Sequence, residues 1–396
     1  MNKYSVFIRG FFTNQSGLVF IHYEYERKEE YMANTRHSGL KEAKKNKADE
    51  WYTQYGDIEK EVNAYLEFNP DLFKDKTILC PCDDPDWSNF THFFAQHFND
   101  FGLKKLICTS YAQEKKPYKK PMQLSLFETE SPDYDPEKTN SCGKVFVLTR
   151  KNRRVNLKDL KWKYLKGDGD YHSDEVIEFR EESDFIITNP PFSLLTDFIR
   201  WINESKKQFL IIAPINSITY SDVFPLIKSN KIWTGTGMGR WISGFIVPPE
   251  YPLTGTEAKI NSFGQRIVSS NNCLWLTNID HGRLHRKLEL MTMEDNIRYS
   301  KHAKIKELGY QKYDNYDAIE VPYYDAIPSD YSGAMGVPIT FLNKYNPAQF
   351  EIIGATESEG TGFSEGLWDS NSKIKQATIN NEKVYKRLFI KARTQV

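Results

Sequence analysis

Cysteine is scarce, with five in 396 residues, at Cys80, Cys82, Cys108, Cys142 and Cys273. An odd count, with no recurring CxxC pair and no histidine cluster, excludes both a disulfide scaffold and a zinc module. The chain therefore reads as a cytoplasmic protein with reduced thiols. Cys80 and Cys82 lie in an apolar run, where small buried thiols outnumber metal ligands, so no metal is expected. Long hydrophobic runs are lacking as well. No stretch of 18 apolar residues occurs, and Arg9 and Asn14 interrupt residues 6–20, which excludes a membrane span and a secretory signal. Net charge is also absent, because 53 Lys plus Arg balance 53 Asp plus Glu. As a total, neutrality argues against a polyanion-binding surface, but it leaves local patches to be examined.

Core-forming material is plentiful. Hydrophobic residues make up 39% and aromatics 14%, with 25 Phe and 23 Tyr, which excludes disorder over the whole chain. The length suggests two domains. Residues 1–36 are expected to be an N-terminal extension, with Met32 as the natural start and the segment before it, residues 1–31, without a functional role. Residues 77–82 (TILCPC), 105–109, 144–148, 184–188 and 208–213 are short continuous apolar runs. Helical spacing appears at residues 58–66, 87–101, 193–204 and 221–229. Buried strands alternating with helices describe a doubly wound α/β domain with a parallel sheet, expected over residues 37–245. Residues 111–141, rich in Lys, Pro, Glu, Asp and Ser, are expected to form a flexible surface insertion. From about residue 239 the alternation stops, so residues 246–396 are expected to form a smaller, irregular α+β region.

Residues 184–192 read DFIITNPPF, an apolar strand running directly into Asn189, Pro190, Pro191 and Phe192. Two prolines fix their own φ and hold the preceding residue extended, which keeps the Asn189 amide and the Pro190 carbonyl at the carboxyl edge of the sheet. That edge is where doubly wound folds bind ligands. Two adjacent oxygen acceptors can take both hydrogens of an exocyclic amine, drawing its lone pair out of conjugation and aiming it at a methyl group on a sulfonium. Phe192 offers a face to the ring that carries the amine. No metal and no nucleophilic side chain are required. The plain alternative is a turn that ends a strand. Residues 49–57 (DEWYTQYGD) and 167–171 (GDGDY) lie in the same region and are ligand-like in composition.

In this order DEWYTQYGDIE, CDDPDWSNF, GDGDY, SDFIITNPPF, LIIAPINSITY, GRWISGFIVP, NNCLWLTN, KYDNYDAI and GVPITFLNKYNPAQFE resemble the EcoRI-type adenine-specific DNA methyltransferases, from about residue 41 to 351. The resemblance implies a Rossmann-like fold that uses S-adenosyl-L-methionine, a target-recognition region after the catalytic domain, and methylation of adenine N6 in duplex DNA on a flipped-out base. A GAATTC-like site, and a place in a restriction-modification system or as an orphan methylase, are implied with it. Asn189 and Pro190 would then bind the amino group and Phe192 would stack on the adenine. Trp51, Tyr52 and Thr53 match the motif near the methionine part of the cofactor. Asp170 matches the acid that reads the cofactor adenine, with Asp168 as its rival. The first strand lacks the usual Gly-rich turn, and Asp83 and Asp84 are the substitutes for binding the ammonium group. The second strand lacks the acid that usually holds the ribose.

Formal neutrality conceals asymmetry. Arg150, Lys151, Arg153 and Arg154 lie in a basic stretch over residues 144–166 that carries only Asp159 in opposition, and a second stretch begins at Arg283 and Arg286. Both are phosphate-contact candidates, against the alternative of solvated surface charge. Arg240, Asn271 and Asn272 are candidates for base readout. Within the insertion, Gln123, Leu124, Leu126 and Phe127 (QLSLF) are similar to the peptide by which bacterial replication proteins bind the sliding clamp. The expected protein is a monomeric enzyme of the nucleoid acting on double-stranded DNA. The competing readings are methylation of an RNA base or a protein glutamine through the same NPP motif, and a DNA- or clamp-binding protein without catalysis.

Overall fold

The structure, a computed structural model, describes residues 52–112, 134–150, 161–247, 258–261, 264–269, 272–356, 364, 366–367 and 376–393. Its strands in chain order are β1 (Tyr52–Thr53), β2 (Thr77–Cys80), β3 (Lys105–Ser110), β4 (Lys144–Thr149), β5 (Trp162–Tyr164), β6 (Phe185–Thr188), β7 (Gln208–Pro214), β8 (Trp233–Met238), β9 (Phe245–Val247), β10 (Ala258–Ile260), β11 (Arg266–Val268), β12 (Cys273–Thr277), β13 (Ile319–Glu320), β14 (Met335–Pro338), β15 (Phe350–Ala355), β16 (Thr378–Ile379), β17 (Glu382–Lys383) and β18 (Arg387–Ala392).

The largest sheet has eight strands in the order β5-β4-β3-β2-β6-β7-β12-β8. Its centre, β3-β2-β6-β7, is parallel. Strands β2 and β6 are buried at every position, as expected for strands covered on both faces. The sheet as a whole is mixed and not purely parallel, because β4 and β12 run antiparallel to their neighbours. Two strands were not apparent as sequence patterns. In β8 (WTGTGM), Gly235 and Gly237 break the apolar run, and β12 (CLWLT) follows an irregular stretch.

Strand β12 lies C-terminal to residue 245, where a domain boundary was expected, yet it pairs with β7 over the register Cys273↔Pro214 to Thr277↔Leu210 and separates β7 from β8. A second sheet, β13-β14-β18-β15, shares one hydrophobic core with the first. Phe198, Phe224, Leu274 and Leu276 belong to the same buried cluster as Val337, Phe341, Phe350, Leu388 and Ile390. A third sheet, β1-β9-β11-β10, ties the strand at the start of the described chain to three strands beyond β8. Among the described residues no helix is long and apolar enough to cross a membrane.

Candidate active site

Strand order reverses at β2. Its successor in chain order, β3, lies on one side and β6 on the other, so the carboxyl ends of β3, β2 and β6 flank the crevice where α/β sheets place ligands. Three of the sequence motifs meet there.

The first is Asn189 to Phe192. It follows β6 directly, Pro190 is buried, and Asn189, Pro191 and Phe192 are half-buried. Phe192 opens a short 3-10 turn that leads into the helix Leu195–Ser205. Its ring meets the buried Phe245 edge-on, with centroids 6.3 Å apart.

The second is the turn after β2. Asp83 is 4% exposed, and its carboxylate accepts from Ser88 Oγ at 2.5 Å and from Thr188 Oγ1 at 2.6 Å. Ser88 caps the helix Asn89–Gln96 by accepting from the Phe90 N–H, and Thr188 immediately precedes Asn189. Asp83 is therefore a strut joining the ends of β2 and β6. Burial, opposed by these two hydroxyls, pushes its carboxyl up to about 7. Expected as a ligand for a cofactor ammonium, it is enclosed by protein on both oxygens. Asp84 is half-exposed at the same edge and accepts from the Asp86 N–H at 3.0 Å.

The third is GDGDY. The Ala112 N–H, just past β3, donates to the Asp168 carbonyl at 2.7 Å, and the Gly143 N–H donates to the Gly167 carbonyl at 2.9 Å. Gly169 has φ +82°, and a Cβ on either Gly169 or Gly143 would collide with the Ser110 carbonyl oxygen. Only glycine permits this packing of loop on strand end. Asp168 Oδ1 accepts from the Asp170 N–H, and Asp170 Oδ1 accepts from the His172 N–H. Both acids are near enough to Tyr111 to raise its hydroxyl pKa, after the larger effect of burial. Tyr171 Oη donates to Asp197 Oδ2 at 2.6 Å, and His172 Nε2 is 2.7 Å from the same oxygen. Asp197 belongs to the helix that follows Phe192, so this carboxylate ties the GDGDY loop to the NPPF loop.

Tyr52 and Thr53 reach the same region by a separate route. They pair with Ile246 and Phe245 of β9, and the Thr53 carbonyl accepts from the Asn89 side-chain amide at 2.7 Å. Gln54 Nε2 donates to Ser243 Oγ at 2.6 Å and to the Gly244 carbonyl at 3.0 Å. Asp57 accepts from the Ser243 N–H and hydroxyl, both at 2.8 Å. These bonds hold residues 243–246 against residues 52–57 and seat Phe245 beside Phe192.

The phosphate and base candidates are scattered. Arg150 is held at the opposite, amino edge of the sheet, where it donates to the Leu103 and Gly102 carbonyls and pairs with Asp75. Arg283 donates to the Thr236 carbonyl along β8, and Arg286 ends the adjoining turn. By contrast, the backbone of Arg240 lies in the turn that leaves β8, and the Asn272 carbonyl accepts from the Ile215 N–H, both at the carboxyl edge. Trp51, Lys151, Arg153, Arg154, Asn271 and the QLSLF residues Gln123, Leu124, Leu126 and Phe127 lie outside the described residues. Sequence reasoning missed Thr188, Tyr171, Asp197 and Phe245. Of the supporting groups only Ser88, a serine at the head of an apolar helix, carried a local signal. Among the described residues no group of three or more His, Cys, Asp or Glu is arranged to hold a metal ion.

The family described as adenine-specific methyltransferase EcoRI matches residues 39–393. The chain is 44% identical to the Type II methyltransferase M.EcoRI of Escherichia coli, over 90% of this chain and 97% of that protein. It is 33% identical to the Type II methyltransferase M.MgeORF184P of Mycoplasma genitalium, over 88% and 97%. It is also 33% identical to the Type II methyltransferase M.MpnI of Mycoplasma pneumoniae, over 78% and 83%. No solved structure matches it.

Proposed function

Because the chain belongs to the EcoRI family of adenine-specific methyltransferases, we propose that the crevice at the carboxyl ends of β3, β2 and β6 is the centre of a doubly wound, Rossmann-like catalytic unit. The protein is a DNA adenine methyltransferase of restriction-modification type. In the finer reading, the acceptor is the N6 amino group of an adenine flipped out of duplex DNA and the donor is S-adenosyl-L-methionine, which supplies a methyl group on a cationic sulfur. The single observation that carries this reading is the convergence of CDDPD, GDGDY and NPPF on three adjacent strand ends.

The donor set fits a cationic cofactor. Asp84, Asp168 and Asp170 are half-exposed carboxylates at this edge. Asp84 is positioned for the ammonium group, and Asp170 or Asp168 for the adenosine end. Tyr52 and Thr53 line the methionine side. The Asn189 side-chain oxygen and the Pro190 carbonyl accept the two hydrogens of the adenine amino group and turn its lone pair toward the methyl. Phe192, held by Phe245, stacks on the base. After transfer the nitrogen carries one proton too many, which leaves to water, so the chain needs no nucleophile of its own.

Incubating plasmid DNA with labelled cofactor and sequencing the modified positions tests the reading and shows whether a GAATTC-like site is used. Asn189→Ala is expected to lower kcat by about 100-fold or more while duplex affinity changes less than about threefold, because the contact it removes acts on the transition state. Undiminished turnover in that variant would refute the assignment.

A further inference from the structure

The β10–β11 ribbon is absorbed by none of the roles above. It is antiparallel, with Ile260 opposite Arg266 and Lys259 opposite Ile267, and β11 pairs with β9 so that Arg266 opposes Val247 and Val268 opposes Phe245. Directly opposed residues share a face, and so do residues two apart. One face of this sheet therefore carries Phe245, Val247, Val268, Arg266 and Ile260 in sequence from inside to outside. Its inner end is the buried Phe245 against Phe192. Its outer end is Ile260, 61% exposed on an edge strand.

From strand spacing and rise, Arg266 lies about 8 Å and Ile260 about 12 Å from Phe245, which is roughly two to four base-pair steps along a duplex. Residues 258–269 contain no acid, and Arg266 is the charged side chain on this face, since Lys259 pairs with Ile267 on the other face, where its charge acts on Asp57. Asn261 and Gln265 brace the ends of the two strands against each other. The Asn261 N–H donates to the Gln265 carbonyl at 3.0 Å, the Gln265 N–H to Asn261 Oδ1 at 2.9 Å, and Asn261 Nδ2 to Gln265 Oε1 at 2.8 Å. A two-stranded ribbon fits the major groove, and Arg is the side chain most often used there to read guanine.

We infer that the β10–β11 ribbon is the surface that meets duplex DNA beside the target adenine, with Arg266 and Ile260 as its contact residues. The inference rests on the proposed activity. A β-branched apolar side chain exposed on an edge strand is an aggregation hazard unless something covers it. Here the cover is the groove wall, where apolar contact with thymine methyl groups is available.

The test uses the full chain with Ile260→Glu, at an exposed position where the fold tolerates substitution, and with Arg266→Ala. Three quantities are read: kcat/KM on duplexes carrying the wild-type site, the map of modified positions on plasmid DNA, and cofactor affinity. Expected are a ten- to hundredfold loss of kcat/KM in each variant, a relaxed map for Arg266→Ala, and cofactor affinity within twofold of wild type. Variants that match wild type in both rate and map would overturn the ribbon assignment while leaving the activity intact. A wild-type protein that transfers no label to DNA would bring down the activity, and the ribbon assignment with it.

Discussion

Asp83 and Asp84 are neighbours in sequence and opposites in environment, since one is enclosed by Ser88 and Thr188 and the other is half-exposed. Adjacent acids in CDDPD could not be ranked by spacing, because the distinction depends on which one the end of β6 covers. The enclosure has a measurable consequence. The folded-state carboxyl of Asp83 is raised to about 7, above its unfolded value of about 4. The folded protein therefore holds a proton that the unfolded chain releases between these values. Stability from this group is complete below about pH 4, falls as pH rises toward 7 and levels off above it. Burial also raises Asp57 and Glu61, which act in the same direction. Burial lowers His92 and His281, which act in the opposite direction in both proteins, so urea unfolding from pH 4.5 to 7.5 is expected to show wild-type stability falling relative to Asp83→Asn as pH rises. An identical slope in the two proteins would mean that Asp83 is not the titrating strut. The same variant is expected to lower kcat, because an amide offers one acceptor oxygen where the carboxylate gave two, so either Ser88 or Thr188, which immediately precedes Asn189, must change from donor to acceptor.

At the scale of elements, the parallel strands were legible because each contains a short, continuous apolar run, and the catalytic turn because two prolines follow one asparagine. Strand β8 was not legible, since its pairing depends on a distant residue. Glu61, buried in the helix Tyr55–Phe68, accepts from the Thr236 N–H at 2.7 Å, the Thr236 hydroxyl at 2.6 Å and the Gly237 N–H at 2.8 Å. A Cβ on Gly235 would collide with that carboxylate. The glycines that broke the sequence pattern are what let the acid close over the edge strand. The helix expected over residues 87–101 is shorter, Asn89–Gln96, because the chain turns after His97 and reaches β3 through Gly102 at φ +61°. The GDGDY loop provides a matched pair of tests. Gly169→Ala places a methyl against the Ser110 carbonyl at a positive φ and is expected to cost on the order of 2–4 kcal/mol, with cofactor affinity weakened about tenfold or more. Gly167→Ala meets nothing within 4 Å and is expected to change stability by less than about 1 kcal/mol. Thermal unfolding and cofactor titration on the two variants check this, and equal behaviour would show that the loop does not pack on β3 as described.

Over the whole molecule, the balance of 53 against 53 charges hides a division of labour. Half-exposed carboxylates gather at the proposed cofactor edge, while the ribbon beside the catalytic turn is basic and free of acids. The composition could not reveal this, because the segments are brought together through β1, β9 and the strand ends. The same long-range closure governs stability. The sequence pattern pointed to a catalytic unit ending at residue 245, but β12 comes after that point and lies between β7 and β8. Without it, β7 presents five residues of unpaired edge, and β8 loses its place in the sheet. The fragment also lacks Phe341, Phe350, Leu388 and Ile390, which belong to the same buried cluster as Phe198 and Phe224, so its part of the shared core is incomplete. Long unpaired edges and large exposed apolar faces favour association over folding. A fragment of residues 37–245 is therefore expected to aggregate or to unfold without a cooperative transition, and addition of residues 246–396 as a separate chain during refolding is expected to restore cooperative unfolding. Near-ultraviolet circular dichroism and denaturant titration distinguish the outcomes: if the isolated fragment unfolds cooperatively, with native-like aromatic signals, the sheet closes without β12 and the shared core is dispensable.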